Sequence, residues 1–535
     1  MKFHASAYLK ENKRTLMILA VIFLAGIFLR TYNFRDWMRF SEDQPRDATI
    51  ISDALEGKAP LSLLGPAANE TNFHLGPAYY YLSFASVKIF GNYPDRMAYP
   101  SLLAGILAIP FTFFFLRENF SEKISLALTG VMSVSYFMIN ASRFSSNPNL
   151  VPLFVILFLW GLLKILNDPK KFHPGWSALL GFSLGLGVQM HTISLVVMPI
   201  VGLSVLAYFW RVGGRGIWKS LAIVMVLAAL LNTAQIVSEL HTNFQNTRYF
   251  FQGLHDHSNA KNNYGESLAL ISACQIEADG YFLTSIGGDY QCGDVLRAAE
   301  YGWNTDKSYF LILIAYALLT LSGYYFLIRN LVGGMEVRRK NFLALVMLFN
   351  LATIIILMSV SGMIHVSYYS VMFFVPLVFL GLLMEAVEKR FDRRGMLAAG
   401  AVIGAIAICS LTVDGVTAVS YVRGFQNNYS NSTLSQDEAM SNYILETVPK
   451  NTARGYFAGQ SNLLVRYFDP AAYLVRRKGL DMSMVENADS SRLTPGTPLY
   501  YVADSGSHSI PGAIGNRRIL SDRKFFNQTI YILKN

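Results

Sequence analysis

PAYYYLSFASVKIF, residues 77–90, is apolar along its length but only 14 residues long. About 20 residues are needed to cross a hydrocarbon core. Whether this segment crosses sets the orientation of every span after it, and the basic stretches of the chain arbitrate. Six stretches between apolar runs (1–14, 117–123, 168–174, 211–219, 329–340 and 388–395) hold 19 Lys and Arg. If 77–90 stays out of the bilayer, all six lie on the inner side. If it crosses, the last five, with 15 of the 19, lie outside. Positive-inside bias therefore lays 77–90 along the outer interface, with Tyr79, Tyr80 and Tyr81 at headgroup level.

Eleven other apolar runs read as crossings: 15–30, 97–116, 124–142, 149–167, 175–190, 193–210, 220–237, 308–328, 342–360, 369–387 and 396–413. The first follows Lys10, Lys13 and Arg14 and runs into Arg30 without a small-residue cleavage site, as a signal anchor does. The N-terminus is then inside and the C-terminus outside. The outer regions are 31–96, the turn 143–148, the turn at His191, the loop 238–307, the turn 361–368 and the tail from 414. Loop 238–307 holds four Lys/Arg against nine Asp/Glu, as suits an outer loop. From 414 the apolar runs shorten. Residues 435–447 read as an amphipathic helix, and 498–504 and 529–534 as strands by their aromatic and β-branched content. The fold class is thus mainly α: a polytopic helical membrane domain over 1–413 and a small α/β outer domain over 414–535.

Composition agrees. Of 535 residues, 53% are hydrophobic and 15% charged, against about 25% charged in an average soluble protein; the mean hydropathy is +0.33. These values exclude an ordinary soluble enzyme, and 13% aromatic residues exclude a disordered chain. The net charge of +10 sits in the basic stretches, so it reports topology rather than nucleic-acid binding. Of three cysteines, Cys409 lies in an apolar run, while Cys274 and Cys292 share the outer loop 238–307 and are a candidate disulfide pair. No spacing suggests a zinc or iron–sulfur site.

Chemistry concentrates just beyond the first span, in RDWMRFSEDQPRD, residues 35–47. Two arginines and three acids fall within 39–47. An amphipathic helix follows over 48–55, then Leu64-Gly65-Pro66, then Asn72-Phe73-His74-Leu75-Gly76-Pro77 and the tyrosine-rich segment. Charge followed by two Gly-Pro turns and an aromatic belt makes a polar pocket at headgroup depth, where a lipid-linked phosphate would sit.

Three motifs in this order resemble the membrane glycosyltransferases of the GT-C fold, within them the protein O-mannosyltransferase and lipid A aminoarabinose transferase group. They are Glu42-Asp43-Gln44-Pro45-Arg46-Asp47-Ala48, Phe73-His74-Leu75-Gly76-Pro77-Ala78-Tyr79-Tyr80, and Ser142-Arg143-Phe144 followed by Asn147-Pro148-Asn149. In organisation the resemblance covers residues 12–390. It implies a polyprenyl-phosphate sugar as donor and Asp43 as the catalytic carboxylate. A positioned base that takes the proton of an attacking hydroxyl or amine contributes roughly 10²–10⁴-fold. Displacement of the lipid phosphate from the opposite face inverts the anomeric centre. Arg46, His74, Arg143 and His191 are the implied phosphate contacts, with His365 a further substrate contact in the outer turn before Pro376. Asp47 orients Arg46 or binds acceptor. Two positions depart from the pattern. Leu75 stands where the family has Lys, or that role is displaced to His74. The turn 143–149 holds no acid, whereas the oligosaccharyltransferase branch places metal-binding acids there. This favours a metal-independent site with a monophosphate donor neutralised by Arg and His, and no cofactor.

The implied function is transfer of a sugar from a polyprenyl-phosphate donor to a protein, lipid or glycan acceptor on the outer face of a plasma or inner membrane. Two other classes stay open. A lipid or glycan transporter or flippase would place polar, broken segments at mid-membrane. A polysaccharide polymerase or ligase with a diphosphate-linked donor would carry an Arg-rich outer loop. Sugar and acceptor are not legible.

Overall fold

The computed structural model describes residues 12–41, 43–68, 71–212, 215–259, 264–287, 292–296, 307–360, 364–423, 432–485, 493–494, 496–505, 518–525 and 528–533. Among them, seven helices are long and apolar enough to cross a membrane: Lys13–Thr31, Tyr99–Leu116, Asn147–Leu166, Thr192–Arg211, Tyr309–Val332, Val337–Met358 and Leu397–Ser420. Three bent pairs are long and apolar enough to cross if each pair is one span: Glu122–Val134 with Tyr136–Ser142 (57°), Gly216–Leu231 with Thr233–His241 (64°), and Val366–Met372 with Phe374–Phe391 (63°). These ten coincide with ten of the eleven apolar runs. The run 175–190 is different. Its helix, Pro174–Gly187, has 14 residues, or about 21 Å, short of the hydrocarbon core of about 30 Å. It is held by close packing instead. A Cβ on Gly181 would lie 2.9 Å from the Val224 Cα, and one on Gly185 3.0 Å from the Ala228 Cα. Small residues four apart let two backbones touch.

The last two spans form one run of helical hydrogen bonding, Phe374–Arg423. That run is not straight. A Cβ on Gly395 would lie 2.5 Å from the carbonyl oxygen of Val387, whereas eight residues of straight helix separate such atoms by about 12 Å. The chain therefore doubles back at the basic stretch 388–395, and the two halves are separate spans.

The segment 77–90 forms the helix Ala78–Phe90, here the tyrosine helix. At 13 residues it is too short to cross. Its tyrosines differ from the expectation of a headgroup belt: Tyr79 and Tyr80 are buried in protein, and only Tyr81 is half-buried. A buried phenol needs a partner for its hydroxyl, and both have one, described below.

The acidic loop also differs. Residues Tyr264–Thr284 are a helix packed against the helices Lys307–Val332 and Val337–Val360 and the helical run Phe374–Arg423. Two of its three acids, Glu277 and Asp279, are buried and satisfied, while Glu266 is exposed. Glu277 accepts hydrogen bonds from the backbone N–H of Gly293 and Val295, and Asp279 from Thr320 Oγ1 (2.9 Å). A charge count cannot separate an exposed acid from a capped one. Cys274 and Cys292 are free thiols whose side chains adjoin, not a disulfide.

Beyond the spans, a five-stranded sheet has the order β2-β1-β3-β5-β4, with β1 Arg454–Gly459, β2 Asp481–Met484, β3 Leu499–Asp504, β4 Ile519–Phe525 and β5 Gln528–Leu533. β1 is parallel to β2 and β3; β5 is antiparallel to β3 and β4. The helix Ser461–Arg476 crosses from β1 to β2 and buries Leu463, Leu464, Tyr467 and Val475 on Phe457 and Val502. A second helix, Leu434–Thr447, begins with a capping box of Thr433 and Gln436.

Substituting Leu for Gly181 forces a side chain against the Val224 backbone, which cannot yield as a side-chain tip can. We expect a loss of about 1–3 kcal/mol, read as a lowered unfolding midpoint in detergent relative to Gly130→Leu, where only the tip of Ile22 lies nearby.

Candidate functional site

The first span ends at Thr31, and its terminal carbonyls need donors. Arg143 supplies them. Its Nη1 donates to the carbonyls of Leu29, Arg30 and Tyr32 (3.2, 3.3 and 2.9 Å) and Nη2 to that of Asn33 (3.1 Å). A cation at a helix C-terminus also complements the dipole. Arg143 thus fixes the entry to the site loop.

Residues Asp43–Leu55 form the site helix. Asp43 opens it, with a side chain 74% exposed; Asp47 follows one turn later with 4% exposed. Arg46 lies between them. Its Nη1 donates to Asp43 Oδ1 (2.7 Å), while Nε and Nη2 donate to Asp47 Oδ1 (3.0 and 2.8 Å). Tyr80 Oη donates to the same Asp47 oxygen (2.9 Å). Glu42 lies outside the described residues. Burial pushes the Asp47 carboxyl up to about 6, against the pull of the Arg46 charge and the hydrogen bonds from Arg46 and Tyr80. Burial alone would lower Arg46, but the Asp47 and Asp43 carboxylates outweigh it and hold the guanidinium charged well above its ordinary value. Asp43 is the accessible carboxylate; Asp47 is the buried one that fixes the arginine.

The tyrosine helix ties this group to the other motifs. Tyr79 Oη is 2.9 Å from Ser145 Oγ, which donates to the Met97 carbonyl (3.0 Å). The Ala78 N–H donates to Gln189 Oε1 (3.1 Å), and Gln189 Nε2 donates to the carbonyls of Gly185 and Leu231. The Gln189 side chain fills the space a Cβ on Gly76 would take, so only glycine fits there. Before the tyrosine helix, His74 closes a clasp. Its Nδ1 is 2.9 Å from the Gly65 carbonyl, and its backbone exchanges hydrogen bonds with the Asn246 side chain (2.7 and 2.9 Å). The imidazole holds the loop to itself.

His191 and His365, distant in sequence, flank one ring: the Tyr368 centroid lies 5.6 Å from His191 and 5.4 Å from His365. The His191 Nδ1 accepts from the Ile193 N–H (3.2 Å), which leaves the proton on Nε2 in the neutral ring. Burial pulls its pKa down to about 4. At neutral pH His191 offers a hydrogen bond and not the positive charge the sequence reading asked of it. Arg39, in the charged run 35–47, lies over the Phe144 ring at 4.7 Å and donates to Ser41 Oγ (3.2 Å). Its place in the charged run 35–47 was the available signal. Tyr80, the partner of Asp47, carried no signal separating it from Tyr81. Among the described residues no three His, Cys, Asp or Glu side chains converge so as to hold a metal ion.

Residues 74–236 match the family described as dolichyl-phosphate-mannose-protein mannosyltransferase. No curated protein matches the sequence. Among solved structures, ArnT from Cupriavidus metallidurans in the apo state is similar at 10% identity over 98% of each chain, with a TM-score of 0.55. The same protein bound to undecaprenyl phosphate is 12% identical over 97% of this chain and 98% of that one, with a TM-score of 0.55. The Archaeoglobus fulgidus oligosaccharyltransferase in complex with zinc and sulfate is 15% identical, covering 88% of this chain and 62% of that one, with a TM-score of 0.50.

The Asp47 carboxylate is titratable by infrared difference spectroscopy. We expect a carboxylate band with a midpoint near 6 that disappears in Asp47→Asn. Tyr80→Phe removes a hydrogen bond made to the charged form, so the midpoint moves upward, by about one unit. A downward shift would contradict the geometry.

Proposed function

We propose that this chain, a multi-pass membrane glycosyltransferase of the GT-C fold, transfers one sugar from a polyprenyl-phosphate donor to an acceptor at the outer face, with inversion and without a metal. The observation that carries the proposal is the asymmetric pair of carboxylates on one arginine. Asp43 is open to a substrate and Asp47 is closed from it. A lipid-phosphate donor is supported by the undecaprenyl phosphate found in the similar ArnT structure.

Asp43 takes the proton from the acceptor's hydroxyl or amine as that atom bonds to the anomeric carbon. The bond from that carbon to the phosphate oxygen breaks on the opposite face, and its electron pair leaves with the lipid phosphate. With Asp43 and Asp47 ionised, the Asp43–Arg46–Asp47 group carries one net negative charge. When Asp43 is protonated the group becomes neutral, and its hold on Arg46 Nη1 weakens. The guanidinium, still anchored through Nε and Nη2 to Asp47, then has Nη1 for the developing phosphate charge. Asp47 and Tyr80 are positioning residues in this scheme.

The N-terminus lies inside and the sheet-bearing C-terminal part outside. The six basic stretches support this orientation. The acceptor is a protein, a lipid or a glycan.

Purified protein in liposomes, given a panel of polyprenyl-phosphate sugars and an acceptor extract, is expected to release free polyprenyl phosphate, read by mass spectrometry. Asp43→Asn should lower release by about 10²–10⁴-fold. Equal release by both proteins removes Asp43 from the role of base; no release from any donor by folded wild type sinks the donor class. Separately, a reporter fused after residue 535 should be accessible only from the outer side, and a cytoplasmic reporter would invert the topology.

A further inference from the structure

At the far side of the molecule, the helix Lys307–Val332 ends and Val337–Val360 begins. Between these ends and the fold-back of the last two spans lies a cavity of about 340 Å³, lined by Arg329, Asn330, Gly333, Gly334, Met335, Arg339 and Lys389. Its size falls in the range of small-ligand sites, about 300–1,000 Å³. Helix Val337–Val360 has 24 residues, about 36 Å, and its other end leads to His365 beside His191. The cavity is therefore about a membrane thickness away from the end of that helix which leads to His365.

Two of the six basic stretches meet here, 329–340 and 388–395. Three cations line the cavity. Arg339 is paired with Glu385. Its Nε is nevertheless enclosed with no acceptor among the described residues. Among those residues neither Arg329 nor Lys389 has an ion-pair partner, so the lining keeps an excess of two positive charges. A pocket that is concave, cationic, short of acceptors and at membrane-surface depth fits an anion with several oxygens.

We infer that this cavity binds a phosphate-bearing anion, and that its source is the headgroup of an anionic lipid in the leaflet opposite the glycosyltransfer site. Basic pockets between spanning helices hold such headgroups through charge and bidentate guanidinium contacts. Arg329 and Lys389 supply the free charge. The inference stands independently of the proposed reaction.

The test is thermal unfolding of delipidated full-length protein in detergent, titrated with phosphatidylglycerol, with phosphatidylcholine, and with inorganic phosphate. Phosphatidylglycerol should raise the midpoint of the wild type and phosphatidylcholine should not. Each cation near an anionic surface is worth about a fivefold factor in affinity, so R329Q/K389Q should bind phosphatidylglycerol about thirtyfold more weakly. R329K/K389R should keep most of the effect, and the single variants carry the test if the double variant does not fold. Protection by inorganic phosphate that is lost in R329Q/K389Q would support the anion site with a soluble source. Equal protection by both lipids, or protection unchanged in R329Q/K389Q, would overturn the inference.

Discussion

A buried carboxylate with three donors on one oxygen holds the candidate site of this protein together. Asp47 receives Arg46 twice and Tyr80 once. Removing Arg46 would leave the buried Asp47 carboxylate with Tyr80 alone of these three donors, and a buried charge short of partners is costly. The site helix is thus bound to the tyrosine helix by a contact that neither can release cheaply. From the tyrosine helix the connection continues, through Tyr79 to the turn at Ser145 and through Ala78 to Gln189, which also reaches Leu231. Segments from five parts of the sequence are placed relative to Asp43 by this one sequence of polar contacts.

The other flank of the site helix is held by the C-terminal part. Ser52 Oγ is 3.0 Å from Tyr473 Oη, and Arg476 reaches Asp53 at 3.3 Å. Arg35 forms a bidentate pair with Glu438 (2.6 and 2.7 Å). The backbone joins in: the Leu434 N–H donates to the Met38 carbonyl (2.8 Å), and the Ser435 hydroxyl to that of Asp36 (2.8 Å). The exposed pairs among these contribute little individually. The buried Ser52–Tyr473 contact and the backbone bonds fix the geometry.

Lipid imposes composition, and composition is legible. The spans, the basic turns and the two C-terminal strands could be read because each carries a pattern that solvent or lipid enforces. The misreadings share one cause: residue type reports what a side chain can do and not which partner it finds. A tyrosine suits a headgroup belt and a buried carboxylate equally well, so Tyr79 and Tyr80 were legible as tyrosines and not as partners of Ser145 and Asp47. Glu277 and Asp279 count as loop acids until backbone donors at Gly293 and Val295 and the Thr320 hydroxyl surround them. That Arg143 donates to the carbonyls at the end of the first span likewise needed the fold. Asp43 and Arg46 were legible because they stand close together in the chain, whereas the pairing of His191 with His365 around Tyr368 needed the fold.

The pairing of residues 38–40 with 432–434 joins chain segments almost 400 positions apart. Synthesis proceeds from the N-terminus, so residues 432–434 emerge only after every span has been made. Until then the loop that carries Asp43 is threaded and tethered by Arg143, but its second edge is bare. Closure of this face is in this sense a late event of biogenesis. A chain truncated within the last span keeps all the acids and arginines of the site and lacks the partner that orders them, which makes completion of synthesis itself a condition for an assembled active site.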